Sequence, residues 1–373
     1  MGRLEIKTIK TLSLFFIVFS MSACTSTKWD NQKRIEASPQ FVDGRFKNSE
    51  NDESHMSFSG FIKGLGSLFK EFKDRIPTRE IEVKQLDFKD FTSGDLNSFK
   101  YTRLGHSTIL FQLAGKTWLT DPIFSKRASP VSWAGPKRFH PVPMNIDVLK
   151  NIEGVIISHD HYDHLDYKAV LEIKDRVKNF IVPLGVGKRL AEWGVSKEKI
   201  HSLDWWEKIQ LGDVEVISTP SQHFSGRTPF DTKSTLWSSW VVKTKKHSLF
   251  FSGDSGYFGG FKEIGKKYGP FDITFMECGQ YNPDWRQVHM MPEDTMKAHI
   301  DLKGKLLVPI HNGTFSISMH PWYDPMRQIT ELGKKNNVKV LIPKMGETID
   351  IKAPPQANVP WWNNKKYTEP KED

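Results

Sequence analysis

The nine residues SHDHYDHLD, Ser158 to Asp166, hold three histidines and three aspartates directly after the apolar run GVII. Few folds accommodate such a stretch. A buried charge without a partner is costly, so these groups must meet water, each other or a cation where the strand ends. His159 and His161 are two apart on an extended segment, so both rings point the same way. Asp163 and His164 follow at the next turn and face a second position nearby. Imidazole nitrogens and a carboxylate oxygen suit zinc, manganese or iron. Four ligands in six residues cannot all serve one tetrahedral ion with an open position. They suit two ions side by side, each needing ligands from elsewhere in the chain.

Those ligands stand at other strand ends. STPSQHFSGR places His223 after the run VEVIS, and LFFSGDSGY places Asp254 after another, between glycines that permit close approach. LLVPIHNGTF does the same for His311. Each alone is an ordinary hydrogen-bonded histidine or turn aspartate. Their shared position, one polar ligand closing each apolar run, is what makes them a set.

Strands and helices alternate from about residue 99. YTRLGHSTILFQLAGKTWLTDP reads as a hairpin turning at Ala114–Gly115. GVIIS, NFIVP, VEVISTP, SSWVVKT, SLFFSGD, DITFMEC, KLLVPIH and KVLIPK read as strands, and LDYKAVLEI, GKRLAEWG and FKEIGKKYG as helices. Asp166 is placed to cap the first of these helices. SKRASPVSWAGPKRFHPVPM is a long basic loop of the kind that often carries function.

The chain has 373 residues and a net charge of +9. Its start, with Arg3, Lys7 and Lys10 before TLSLFFIVFS and MSAC, resembles a bacterial lipoprotein signal peptide. This implies cleavage after residue 23 and lipidation of Cys24. It also implies an envelope location, at the outer membrane or periplasmic face, with a membrane contact through the anchor. Cys278 is the only other cysteine, so an internal disulfide is not expected. Residues 24–94 read as a polar tether followed by an amphipathic helix over 58–76. Residues 95–352 form the main domain, and 353–373 a polar tail with Trp361 and Trp362 as packing anchors.

At this point the chain resembles the metallo-beta-lactamase superfamily, through His159-Asp160-His161-Tyr162-Asp163-His164 and the downstream order His, Asp, His. The resemblance is closer still to the N-acyl-phosphatidylethanolamine-hydrolysing phospholipase D family, over about residues 95–345. The carriers are GHSTIL, SPVSWAGPKR, SHDHYDHLD, LDWWE, QHFSGR, TLWSSW, GDSGY, GPFD, QVHMMPED and IHNGTF. Asn312 stands where that family carries tryptophan. The resemblance implies an α/β fold: the αββα sandwich of two mixed sheets flanked by helices. It implies two divalent ions, zinc first among them. His159, His161 and His223 would bind one, Asp163, His164 and His311 the other, with Asp254 bridging. Asp163 would orient the attacking hydroxide, and His289 would sit by the substrate phosphate.

Arg227 and the basic loop Lys126–Arg127 to Lys137–Arg138 are candidates to neutralise a phosphate. The expected partner is a phospholipid or another anionic small molecule, not a nucleic acid. The alternatives are a lactone, ester or beta-lactam hydrolase of the same fold, or a non-catalytic metal-binding envelope lipoprotein.

Overall fold

The computed structural model of the chain describes residues 32–50, 74–93, 95 and 97–367. Cys24, the signal segment and the amphipathic run up to residue 73 lie outside the described residues. No helix among the described residues is long and apolar enough to cross a membrane.

A short hairpin, β1 (Phe41–Val42) and β2 (Arg45–Phe46), precedes two seven-stranded sheets. The first sheet contains β3 (Lys100–Gly105), β4 (Thr108–Leu113), β5 (Lys116–Thr120), β6 (Ile152–Ile156), β7 (Val177–Pro183), β8 (Ile200–Leu203) and β16 (Thr348–Asp350). Its order is β16-β3-β4-β5-β6-β7-β8. The second contains β9 (Lys208–Leu211), β10 (Val214–Thr219), β11 (Ser239–Lys243), β12 (Ser248–Phe251), β13 (Ile273–Glu277), β14 (Leu306–Ile310) and β15 (Lys339–Val340), ordered β15-β14-β13-β12-β11-β10-β9. Both sheets are mixed. β5 to β8 run parallel, as do β12 to β15, and the remaining pairs are antiparallel.

Three apolar layers hold the sheets. Between them lie Tyr101, Phe111, Trp118, Ile156, Val216, Trp240, Phe275 and Val308. Outside the first sheet, the helices Tyr167–Ile173 and Val186–Glu192 bury Val170, Ile173, Val186 and Leu190. Outside the second, Gly260–Tyr268, Pro292–Asp301 and Asp324–Asn336 bury Phe261, Ile264, Met296 and Ile329. The expected αββα sandwich is therefore the observed architecture. Parallel strands with helices on their outer faces are buried on both sides, which is why they read as unbroken apolar runs. Cys278 is buried in the outer layer of the second sheet, and Trp361, Trp362 and Tyr367 belong to the same apolar layer.

Several elements differ from the sequence expectation, the strands β8, β9 and β16 among them. The run YTRLGHSTILFQL is two strands, not one, because Gly105 (φ 132°) and His106 (φ 53°) turn the chain between β3 and β4. Two helices, Pro292–Asp301 and Asp324–Asn336, join the set. Residues 32–50, expected as part of a tether, are docked. Arg34 pairs with Glu207 at 2.6 Å, and Phe46 is fully buried with Leu184, Trp205, Leu236 and Trp237.

Candidate metal centre

The site forms where the parallel strands and the antiparallel β10 end. β6 delivers the loop Ser158–Asp166, β10 delivers His223, β12 Asp254, β13 Glu277 and β14 His311. Strand ends gather polar groups here because each sheet's apolar side chains stop at the edge of the core while the backbone carries on. Gly253, at φ 56°, permits a close approach: a Cβ there would lie 2.5 Å from Ser158 Cβ.

One half of the site is all nitrogen. His159 Nε2 lies 2.8 Å from His161 Nδ1, and His223 Nε2 lies 3.3 Å from the same atom. Hydrogen-bond partners fix the protons. The carbonyl of Val288 can only accept, so His223 donates from Nδ1 at 3.0 Å and bares Nε2. Ser158 Oγ donates to Asp121 at 2.6 Å and so accepts from His159 Nδ1 at 2.9 Å, which bares His159 Nε2. Two lone pairs thus converge on a third ring nitrogen, which can offer them one proton at most. A cation satisfies all three. Burial, reinforced by the neighbouring histidines, holds His159 well below the ordinary range. Burial does the same for His223 against the opposing pull of Asp254.

The other half mixes charge. Asp163 Oδ2 is 3.3 Å from His311 Nε2 and 3.6 Å from His164 Nε2, and accepts from His106 Nε2 at 2.9 Å. Asp254 Oδ2 lies 3.2 Å from His164 Nε2 and 3.1 Å from His311 Nε2. It also reaches the nitrogen-rich half, at 3.9 Å from His159 Nε2 and 3.8 Å from His223 Nε2. Burial alone would lower both imidazoles here. The carboxylates outweigh it, holding His164 well above the ordinary value and His311 up to about 10. His164 Nε2 and Asp254 Oδ1 are buried with no hydrogen-bond partner among the described residues. Buried polar atoms are rarely left so, and imidazole and carboxylate atoms without partners in such a cluster fit divalent ions.

The geometry therefore brings together His159, His161, Asp163, His164, His223, Asp254 and His311. His289 stands beside them, its ring centroid 5.1 Å from His223 and 5.6 Å from His311. Arg227 does not point into the site as expected of a phosphate ligand. Its Nη1 donates to the carbonyls of Asp160 and Leu165 at 2.8 Å each, and its guanidinium lies 3.8 Å from the centre of the Tyr162 ring. It clamps the ligand loop. In the basic loop, Arg138 is likewise buried, donating from Nη2 to the carbonyl of Ile123 at 2.7 Å.

Four residues here escaped the sequence reading. Asp121 accepts from His164 Nδ1 at 2.7 Å and so aims Nε2 at the centre. His106 braces Asp163. Asn48, from the docked N-terminal segment, accepts from the His223 backbone N–H at 3.1 Å and donates to its carbonyl at 3.0 Å. Glu277 pairs with His289 Nδ1. Asp121, in the strand-closing TDP, and Glu277, at the end of DITFME, carried a local signal of the same kind as Asp254.

A family model described as beta-lactamase superfamily domain matches residues 116–312, from the start of β5 to the residue after His311. The chain belongs to the metallo-beta-lactamase superfamily. It has the fold of that superfamily's metal-dependent hydrolases. It is 40% identical over 273 residues to an uncharacterized protein of Mycobacterium tuberculosis, covering 72% of this chain and 73% of that one. It is 32% identical over 306 residues to N-acyl-phosphatidylethanolamine-hydrolyzing phospholipase D 1 of Caenorhabditis elegans, covering 76% and 85%. A 94-residue stretch is 45% identical to outer membrane protein RomA of Klebsiella pneumoniae, covering 25% of this chain and 70% of that protein. Among solved structures, a metallo hydrolase of Ignicoccus hospitalis superposes with a TM-score of 0.52 at 21% identity, covering 68% of this chain and 97% of that one.

Proposed function

We propose that this superfamily member is a two-metal phosphodiesterase of phospholipase D type, acting on N-acyl-phosphatidylethanolamine-like lipids. The observation that carries the two-ion reading is the position of Asp254 Oδ2, within 4 Å of ring nitrogens from both halves of the site. His159, His161 and His223 would hold one ion and Asp163, His164 and His311 the other, with Asp254 within reach of both sets. When bound, two divalent ions supply the Lewis acidity that makes water nucleophilic at neutral pH and offsets charge on a phosphoryl oxygen. Zinc suits the donor set of imidazole and carboxylate.

The chain's own residues do the rest. Asp163, braced by His106, accepts a hydrogen bond from the attacking water and directs its lone pair. Asp121 and Ser158 keep His164 and His159 in the tautomers that face inward. His289, at the edge of the cluster and with 17% of its side chain exposed, protonates the leaving alcohol.

The lipid substrate is supported by the likeness to the Caenorhabditis elegans phospholipase. Lipidation at Cys24 and an envelope location are part of the same proposal, supported by the MSAC start and the partial likeness to RomA. The test is purified protein from Thr25 onward, zinc-loaded, mixed with an N-acyl-phosphatidylethanolamine in detergent and followed by mass spectrometry. Phosphatidic acid and an N-acylethanolamine, both abolished by chelation, are expected. Turnover of lactones or esters without phosphodiester cleavage would reassign the substrate within the same fold.

A further inference from the structure

Glu277 closes β13 and is fully buried. Its Oε2 accepts the backbone N–H of Ser255 at 2.7 Å, and its Oε1 accepts from His289 Nδ1. Its own backbone is pinned on both sides. The N–H donates to Ser252 Oγ at 2.8 Å, and the carbonyl accepts from Thr295 Oγ1 at 2.7 Å. Thr295 lies on the helix that begins just after His289, so carboxylate and imidazole are tied to one another through side chains and main chain. Glu277 Oε1 is 3.8 Å from His311 Nδ1, too far for a hydrogen bond. The carboxylate is therefore committed to His289 and not to the ligand beside it.

The consequence for His289 is geometric. Its ring is held between His223 and His311, near perpendicular to one (71°) and near parallel to the other (22°). With Nδ1 engaged, Nε2 is the remaining polar atom, and no residue among those described is hydrogen-bonded to it.

We infer that Glu277 is a positioning residue that orients His289 to deliver a proton from Nε2 to the leaving oxygen, an inference that rests on the phosphodiester reading above. In that step the oxygen of the attacking water bonds to phosphorus, and the bond from phosphorus to the leaving oxygen breaks. The bonding pair stays on the leaving oxygen, which takes the Nε2 proton. The proton lost by the water passes to solvent, and solvent restores Nε2. Glu277 keeps the Nδ1 proton in place throughout.

The test compares two leaving groups in zinc-loaded full-length protein. An N-acyl-phosphatidylethanolamine expels an alkoxide that needs a proton, whereas bis(p-nitrophenyl) phosphate expels a stable phenolate that does not. Glu277→Gln should slow the lipid by about 100-fold and the nitrophenyl ester by less than about threefold. The double variant with His289→Ala should be no slower on the lipid than His289→Ala alone, since both remove one function. Metal content should stay at the wild-type value in each.

Equal loss on both substrates, additive losses, or a missing ion in Glu277→Gln would each overturn the inference and make Glu277 a structural or ligating residue. A second arm needs no substrate. Long-range proton–nitrogen spectra of the zinc protein should place a proton on His289 Nδ1 in the wild type and lose that state in Glu277→Gln; a bare wild-type Nδ1 overturns the positioning role. If the metal-loaded wild type cleaves neither phosphodiester, the phosphodiesterase reading fails and the proton-transfer role falls with it. The spectra still decide the Glu277–His289 pairing.

Discussion

The two halves of the site use the same side chain and hold it in opposite ways. Around His159 and His223 the partners are a serine hydroxyl and a backbone carbonyl, both neutral, and burial keeps the rings uncharged. Around His164 and His311 the partners are the carboxylates of Asp121, Asp163 and Asp254, which keep the rings protonated against the pull of burial. The nitrogen-rich half presents lone pairs to a cation as it stands. The carboxylate-rich half is an ion-pair network that must release protons to accept one. One loop, Ser158–Asp166, feeds both halves, and the difference comes from the carboxylates set among the rings of one half and farther from those of the other.

The largest break in this comparison is at the shared group. Asp254→Ala should remove the link between halves, with loss of metal from both. Activity should fall by more than the ~10–100-fold that loss of a supporting partner costs. Metal analysis after dialysis checks it, and two retained ions would refute the bridge. Asp121→Asn removes only the carboxylate behind His164. It should weaken the ion of the carboxylate half by about 10–100-fold and leave the other nearly unchanged, as read by competition with a chromophoric chelator.

The halves should also part in pH dependence. In the metal-free protein His311 is pushed up to about 10, so below that pH it carries a proton that an ion must displace. Affinity in the carboxylate half should therefore rise with pH toward about 10. His159 and His223 lie well below 6.5 and carry no proton at neutral pH. Their ion should bind with nearly constant affinity between about pH 7 and 9. Calorimetric titration across that interval resolves the two, and parallel slopes would contradict the contrast.

The smallest effect belongs to the nitrogen-rich half. Asn48→Ala strands the buried His223 N–H and removes the donor to its carbonyl, while the indole N–H of Trp237 keeps the Ser221 carbonyl at 3.0 Å. It should cost about 1–3 kcal/mol of folding stability, and loosen the His223 ion before the other. Chemical denaturation with paired metal analysis checks it.

The candidate ligands stood out in the sequence because they gather just after apolar runs, and a strand that ends in histidine or aspartate has few bland purposes when several do so together. The layers were legible for the same reason: strands buried on both faces read as unbroken runs. The groups that support the ligands were not. His106 sits in what reads as a continuous strand until Gly105 turns it. Asn48 lies in a polar lead-in, 175 residues from the histidine it holds. Glu277 is the acidic end of an apolar run with no visible partner. Arg227 shows the converse: a basic residue beside a ligand reads as a phosphate contact, but its guanidinium faces the carbonyls of the loop it braces. A supporting group is defined by what it touches, and only the ligands announce themselves by spacing.

The proposed site holds two ions joined by Asp254. The most direct measurement is a crystal structure of the zinc-loaded protein with anomalous data at the zinc edge. Two peaks roughly 3.5–4 Å apart are expected, as in other two-metal sites. One should be ligated by His159, His161 and His223, the other by Asp163, His164 and His311, with Asp254 contacting both. A single peak, or two with Asp254 bound to one alone, would contradict the account.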